Sequence, residues 1–436
     1  MKEAKINRSN SGPTPGSLPK LKPSTKSNRL RILLIHAIDY PIGGASSAHT
    51  HLIIKGLRQN QADAALIIPH GESWGGMKNK QLQGRYDGVP FVFMSRSTDR
   101  SRHKLRRTQE TLSTMRKTAR FLRTRYKSGK LDAVILATPD FFKLLPVITT
   151  CLLGKIPFFI WSVERMSLNR DKQGPTAILR HISYLIAERI LPRFAKGCII
   201  LSPYLSKYYL KYIRSSSLII SPNLVAPETI SAAPRDAARE NNLPDKSILV
   251  YSGSFAPKDG IPYLIEAFSL VANNRPDLNL VLLGKNDDPH VFSRLYRQID
   301  SLGLRNRVEM PGYVSLEKLH SFYRKAKILL ACRANIPFAH YSYAWKMGEY
   351  FLSERPVLAS RVGSISEYFT DEKDIFLARP GDPKDIAEKI TAILKDYPRA
   401  LRIAAAGRET VIRDMHYIPQ MAKFLEFISK QLNQSI

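Results

Sequence analysis

No run of 18 or more apolar residues occurs in the chain, so an ordinary membrane-spanning helix is excluded. Cysteine is nearly absent: Cys151, Cys198 and Cys332 lie far apart in apolar surroundings. That excludes a disulfide framework and paired zinc ligands, and suits buried thiols in a reducing compartment. There is no His-Glu-x-x-His and no Asp-x-Asp framed by apolar strands, so no metal site is expected. The one Gly-Gly loop lacks the Gly-x-Gly-x-x-Gly fingerprint, so no nicotinamide and no other cofactor is inferred. The first residues have no apolar segment of a secretory signal. Acidic residues are scarce as well, 37 against 67 Lys and Arg, which leaves a net charge of +30.

That charge is localised. Residues 1–31 carry +7 and residues 96–130 carry +11. Residues 1–29, basic and rich in Pro, Gly and Ser, read as a disordered tail. Between Leu105 and Tyr126 the apolar positions Leu105, Leu112, Met115, Ala119, Leu122 and Tyr126 form one helical stripe among arginines and lysines. A basic amphipathic helix of this kind suits an anionic membrane surface, which is the reading preferred, with packing on a domain core as the alternative. A nucleic-acid-binding protein is the other reading of the charge. No recognisable reading module supports it, and no nucleic-acid partner is expected.

A chain of 436 residues exceeds one ordinary core and implies two domains. From Arg31 apolar strands alternate with helices: RILLIHAI, AALIIPH, VPFVFM, AVILAT, IPFFIW and GCIILS, with helical patterns at 141–154 and 175–195. Strands apolar throughout and separated by helices predict a parallel sheet covered on both faces. We place this first Rossmann-like domain at 30–220 and a Pro-rich linker at 221–246. The pattern restarts at SILVYSGSF and predicts a second Rossmann-like domain over 247–412. A helix beyond a kink is predicted over 413–432, within a last segment of 413–436 that crosses back to the first domain. The fold class is thus α/β, two Rossmann-like domains facing a cleft.

The stretch 342–361, SYAWKMGEYFLSERPVLASR, puts Lys346 and Glu349 three residues apart on one helical face. A cation there can meet a phosphate, and a carboxylate can accept from sugar hydroxyls. Nucleotide-sugar binding is the chemistry this suggests. A solvated lysine and a first-turn helix glutamate are the plain alternatives. Gly43 and Gly44, followed by Ala45, Ser46 and Ser47 before a helix, suit an anion or sugar near the helix start. Gly253, Gly284 and Gly363 end strands where backbone can approach closely, or simply turn. Glu164 reads as a cleft carboxylate or a partner of Arg165, and Asp140 as a cleft carboxylate or a helix cap. His49 and His51 lie on the first helix, where a satisfied structural histidine is the default. Asp287 and Asp288 read as a solvated loop tip.

Taken together these motifs resemble the family-4 retaining glycosyltransferases of the GT-B fold. The resemblance spans about residues 30–430 and is strongest over 247–412. It rests on Gly43-Gly44, Ser221-Pro222-Asn223, Tyr251-Ser252-Gly253-Ser254, the IEAF at 265–268, Gly312-Tyr313-Val314 and Lys346-Met-Gly-Glu349-Tyr350. The last is similar to the Lys-x-x-Glu-Tyr variant of polysaccharide-synthesis members. The resemblance implies transfer, with retention, from a nucleotide-diphosphate sugar to a glycan or lipid-linked acceptor in cell-surface polysaccharide or glycolipid assembly. It implies a donor site of Gly43, Gly44, Gly253, Ser254, Lys258, Gly284, Val314, Lys346 and Glu349, with Glu164 and Asp140 as catalytic carboxylates. With the charge pattern it also implies a cytoplasmic protein, peripheral at the inner face of the membrane.

Several positions depart from the family pattern. Tyr341 stands where an acid often precedes Glu349, and Ser254 and Asp259 stand where an Arg and a Lys usually follow the first phosphate loop. Trp161-Ser-Val-Glu164-Arg165 replaces a common His. These departures motivate the alternative of a catalytically silent, glycosyltransferase-like scaffold.

Overall fold

The computed structural model describes residues 29–72, 81–138, 140–169, 174–231, 247–286 and 288–434. Residues 1–28 of the basic tail, residues 232–246 of the linker and Asp287 lie outside the described residues. The chain divides into two compact units, Met1–Thr138 with Phe142–Phe158, and Pro139–Phe141 with Phe159–Ile436. The boundary expected near residue 220 therefore falls inside the second unit. Both units are parallel α/β, strand followed by crossover helix, as the apolar strands predict.

In the first unit β1 (Arg31–Ile35), β2 (Asp63–Ile68), β3 (Gln83–Tyr86), β4 (Val89–Phe93) and β5 (Ala133–Leu136) stand in the order β3-β4-β2-β1-β5. All pair in parallel except β3, which runs antiparallel to β4. Its hairpin turns at Asp87 and Gly88, with φ of 44° and 77°. Two left-handed residues make the tight turn that matches strand twist, and Asp-Gly is suited to it. Strand order reverses between β1 and β5, so the loop after β1 that carries Gly43 and Gly44 opens at a topological switch point.

The basic helix is present as Lys104–Lys127, but its apolar stripe turns inward. Met115, Ala119 and Leu122 are buried, joined by Thr111, Thr114 and Thr118. Thr118 Oγ1 donates to Thr114 O at 2.8 Å. Such a bond satisfies the hydroxyl inside its own helix, so threonines can line the buried face. Leu105 and Leu112 alone of the expected stripe are exposed. Most of the stripe is thus core.

The second unit begins with three parallel strands, β6 (Phe158–Ser162), β7 (Gly197–Ile200) and β8 (Leu218–Ile220). Six more follow: β9 (Ser247–Gly253), β10 (Leu278–Gly284), β11 (Val308–Gly312), β12 (Ala326–Ala331), β13 (Val357–Ser360) and β14 (Phe376–Ala378). Their order is β11-β10-β9-β12-β13-β14, and every pairing among them is parallel. The chain lays down β9, β10 and β11 outward, then returns to place β12 on the other side of β9. The switch point therefore lies between the carboxyl ends of β9 and β12, where open parallel sheets bind ligands.

The C-terminal helical region breaks at His416, between helices Tyr397–Met415 and Tyr417–Asn433. Residues 413–415 thus belong to the earlier helix. His416 caps the next one through its Nδ1, which accepts from Ile418 N at 3.3 Å. Val225 bridges the break, donating to Met415 O and accepting from Tyr417 N. The last helix lies on β6 and β7. Phe424 meets Trp161 edge-on at 5.2 Å, and a side chain at Gly197 would collide with Phe427.

Candidate functional site

The loops at the β9–β12 switch point hold most of the expected donor residues. After Gly253 the chain turns through Ser254, and Asp259 folds back to organise the turn. Its Oδ2 accepts from Ser254 Oγ at 2.7 Å and from Ala256 N at 3.2 Å. Gly260 follows at φ 64°, and a Cβ there would stand 2.8 Å from Ala334 N. The loop after β9 is thereby pressed onto the loop after β12, with Ala334 N donating to Lys258 O. Gly253 and Gly284 pair at the ends of β9 and β10. A Cβ at Gly284 would meet Gly253 O at 1.8 Å, and one at Gly253 would overlap the Tyr251 hydroxyl. Both glycines serve close approach of protein to protein.

Lys346 and Glu349 arrive from the other side of this switch point. Lys346 caps the short helix Met347–Leu352, and Glu349 lies in its first turn. Gly348 lets that helix meet the linker, since a Cβ there would stand 2.5 Å from Val225 Cγ1. Glu349 is half-buried by surface, yet protein encloses its carboxyl group on nearly every side. Burial pushes the carboxyl up to about 7, against the pull of Lys346 and a hydrogen bond from Tyr323. Burial likewise pushes the Lys346 ammonium down to about 8, opposed by Asp259 and Glu349. For Asp259 burial also raises the pKa, but Arg333, then Lys258, Ser254 and Lys346, hold it below the ordinary carboxylate range. Three cations, Lys346, Arg333 and Lys258, and two carboxylates, Asp259 and Glu349, thus share one poorly solvated place, and Lys346 and Glu349 are poised near neutrality. Perturbed groups of this kind at a switch point mark a candidate ligand site.

Behind these groups stands a hydroxyl network absent from the sequence reading. Ser252 Oγ meets the Tyr323 hydroxyl at 2.6 Å and the Tyr350 hydroxyl at 3.2 Å, while Ser252 N donates to Tyr350 at 2.8 Å. Arg333, the charge nearest Asp259 in effect, was also missed. It is buried, and its Nη1 donates to Ser342 Oγ at 2.5 Å. The one visible signal was a charge directly after the apolar strand KILLAC.

Glu164 does not pair with its neighbour Arg165. Its Oε1 accepts from Lys258 Nζ at 2.7 Å, so the loop after β6 reaches the loop after β9. Lys258 also lies 4.5 Å over the Phe338 ring. Asp140 is buried and accepts from Ser183 Oγ at 2.6 Å. That contact ties it to the helix Pro175–Arg189 and gives it a structural partner. Val314 is half-buried just past β11, the edge strand of its sheet. Gly363 is needed for packing, because a Cβ would enter the Tyr204 ring at 2.5 Å.

In the first unit Gly43 sits against Asp39 and Ser47, while the space beside Gly44 is open. Ser47 Oγ donates to Asp39 O at 2.5 Å, closing the loop on itself. His51 is structural, meeting Tyr40 at 2.8 Å through Nδ1 and Asp87 at 3.2 Å through Nε2. His49 is buried, and burial with the nearby His36 pushes it down to about 3, so it stays neutral.

Residues 234–410 match the family model of glycosyl transferases group 1. The matched stretch lies within the second unit, so that unit carries the similarity to glycosyltransferases. Among curated relatives, the chain is 22% identical over 255 residues to the uncharacterized glycosyltransferase YqgM of Bacillus subtilis. It is 25% identical over 237 residues to the lipopolysaccharide 1,2-N-acetylglucosaminetransferase of Salmonella typhimurium. These matches take in 58% and 52% of this chain and 67% and 61% of those relatives.

Among solved structures, sucrose-phosphate synthase from Thermosynechococcus elongatus aligns over 93% of this chain and all of its own, with TM-score 0.73 and 18% identity. HepE of Anabaena, solved with UDP and glucose, aligns over 92% of this chain and all of its own, with TM-score 0.65 and 16% identity. WaaG, a glycosyltransferase of lipopolysaccharide biosynthesis, aligns over 91% of this chain and 99% of its own, with TM-score 0.64 and 15% identity. The fold is GT-B, and domain and relatives together support a glycosyltransferase enzyme. Among the described residues no helix is long and apolar enough to cross a membrane.

Proposed function

We propose that the protein transfers a sugar from a UDP-sugar to a glycan or lipid-linked acceptor, with retention at the anomeric carbon. The convergence of Lys346, Glu349 and the Gly253–Gly260 loop at the β9–β12 switch point carries this reading. The choice of UDP is supported by HepE, a neighbour in fold solved with UDP and with UDP-glucose. Retention and a role in surface polysaccharide or glycolipid assembly are what the family resemblance implies.

Lys346 is the cation for the diphosphate. A phosphate beside it restores the charge that burial disfavours, so binding and protonation reinforce each other. Glu349 accepts from the ribose hydroxyls. Two hydroxyl donors stabilise the carboxylate over the acid, and the Tyr323 hydroxyl holds it in place. Backbone near Val314 faces the base. Lys258 assists the leaving diphosphate once its bond to Glu164 is shared or released, and Glu164 then acts on the acceptor side. No metal is required in this scheme, because the leaving charge is met by lysine and backbone N–H groups. Asp140 supports the fold through Ser183. The protein works at the inner face of the membrane, where Leu105, Leu112 and the arginines of the 104–127 helix meet anionic lipid.

A thermal-shift panel of UDP, GDP, ADP and CMP and their sugars tests the donor assignment, since a ligand of the folded state raises the melting temperature. UDP and a UDP-sugar are expected to stabilise the protein, and Lys346→Ala and Glu349→Ala to lose the effect. Stabilisation by GDP or ADP alone would refute the choice of base, and no response to any nucleotide would refute the donor site.

A further inference from the structure

Arg165 follows Glu164 in the segment between β6 and the 175–189 helix, and its guanidinium lies against two rings that meet edge to face. The charge centre lies 3.7 Å from the centre of Tyr208 and 4.7 Å from that of Tyr341. Its nearest carboxylate is Glu188, 3.8 Å from Nε, beyond hydrogen-bonding distance. Glu188 is already engaged, accepting from Ser167 N at 2.8 Å and from Ser167 Oγ at 2.6 Å. The Arg165 guanidinium therefore makes no hydrogen bond to any described residue, and its Nε is closed off from solvent. Yet 13% of the side chain stays exposed, so its outer edge is reachable.

A guanidinium carries five N–H donors, and leaving them unmade in a half-dry place is costly. Contact with the two rings holds the group in place, and its outer edge makes no hydrogen bond to a described residue. That edge is a rigid fork whose geometry matches a carboxylate or a phosphate. Arg165 also stands beside the proposed donor site. Tyr341 directly follows the helix Pro337–His340, whose Phe338 ring supports Lys258, and Lys258 is bonded to Glu164. An acid at position 341 would neutralise Arg165. A tyrosine ring holds it without a hydrogen bond, and its charge is met only by the ion pair with Glu188 at 3.8 Å.

We propose that Arg165 is an anion-recognition residue of the sugar subsite, so that the sugar handled there carries a carboxylate or a phosphate. This rests on the nucleotide-sugar reading above. The charge has two possible sources, the transferred sugar or the acceptor sugar, and the test separates them.

Calorimetry on the full chain compares UDP, UDP-glucose and UDP-glucuronate, then glucose, glucuronate and glucose 6-phosphate with UDP present. In one series the anionic member is expected to bind about 10- to 100-fold more tightly than glucose or UDP-glucose, the range for a charged hydrogen bond. Preference in the first series assigns the charge to the donor, and preference in the second to the acceptor. Arg165→Gln is expected to abolish the preference while UDP affinity stays within about twofold. Arg165→Lys, which keeps a cation and guards against a folding defect, is expected to retain part of it, because a point charge lacks the fork. If UDP binds but neither series shows a preference, or the preference survives Arg165→Gln, this inference fails alone. If UDP itself does not bind, the donor-site reading fails and takes this inference with it.

Discussion

Replacing Glu349 by Gln is expected to stabilise the protein above pH 7 and to remove nucleotide-sugar binding. The carboxyl titrates near 7 in the fold against 4.5 for the ordinary group. A carboxyl with a raised pKa keeps its proton more tightly folded than unfolded. Its ionisation therefore costs stability as pH rises from 4.5 through 7, and the cost is constant above that. At about 1.4 kcal/mol per unit the full effect is about 3 kcal/mol, a large part of the ~5–15 kcal/mol that holds a domain folded. The pull of Lys346 is already contained in that value, and the partial exposure of Glu349 makes about 3 kcal/mol an upper bound. Urea unfolding without ligand, followed by tryptophan fluorescence, measures it, because Trp161 and Trp345 both lie in the second unit. The Gln variant should gain under about 1 kcal/mol at pH 5 and up to about 3 kcal/mol at pH 8. A variant no more stable than wild type at pH 8 would show that Glu349 is well solvated and that its role as a desolvated ribose acceptor is wrong.

The same two pKa values predict proton linkage of UDP binding. Near pH 6.5 ionisation of Glu349 should release protons, and near pH 8.5 recharging of Lys346 should take them up, with a change of sign between. Calorimetry in buffers of different ionisation enthalpy reads this, and a proton count of zero at both pH values contradicts it. The Lys258–Glu164 bond at 2.7 Å should appear in a double-mutant cycle of Lys258→Ala and Glu164→Ala as a coupling of about 1–2 kcal/mol. Additive effects would mean that the bond is not populated in solution. Gly253→Ala should destabilise the second unit by about 2 kcal/mol or more, because its Cβ overlaps Tyr251, and a neutral outcome would place that ring elsewhere. Leu105→Ser with Leu112→Ser should weaken sedimentation with anionic vesicles while leaving the melting temperature unchanged, whereas unaltered vesicle binding would remove this helix from the membrane reading.

Much of the fold was legible because parallel strands buried on both faces must be apolar throughout. The expected LNLVLLG strand is β10 to the residue, and SILVYSGSF opens β9 where anticipated. The shortfalls have separate causes. β3, reading QGRY, has no apolar alternation, and its signal was the Asp87-Gly88 turn beside it. The helix break was misplaced by three residues because His416 serves as cap and bridge at once. The 104–127 stripe suited lipid or core in the sequence, and the structure turns most of it inward, with threonines bonded within the helix lining the buried face.

For the site, the sequence alone determined which residues come to the switch point. Lys346, Glu349, Gly253 and Ser254 follow strands whose apolar runs and spacing settle where each loop emerges. Which charges meet was decided only by tertiary structure. Glu164 and Lys258 are 94 residues apart and bond directly, while Arg165 turns away to two tyrosines. Asp259 and Arg333 lie 74 positions apart in the numbering and face each other across neighbouring loops. Linear spacing carries no information about such pairs, because a carboxylate's partner is set by whichever loop the parallel sheet brings alongside. The pKa values of Lys346 and Glu349 belong to the same level. They depend on how much water packing leaves near each charge, and no motif records that.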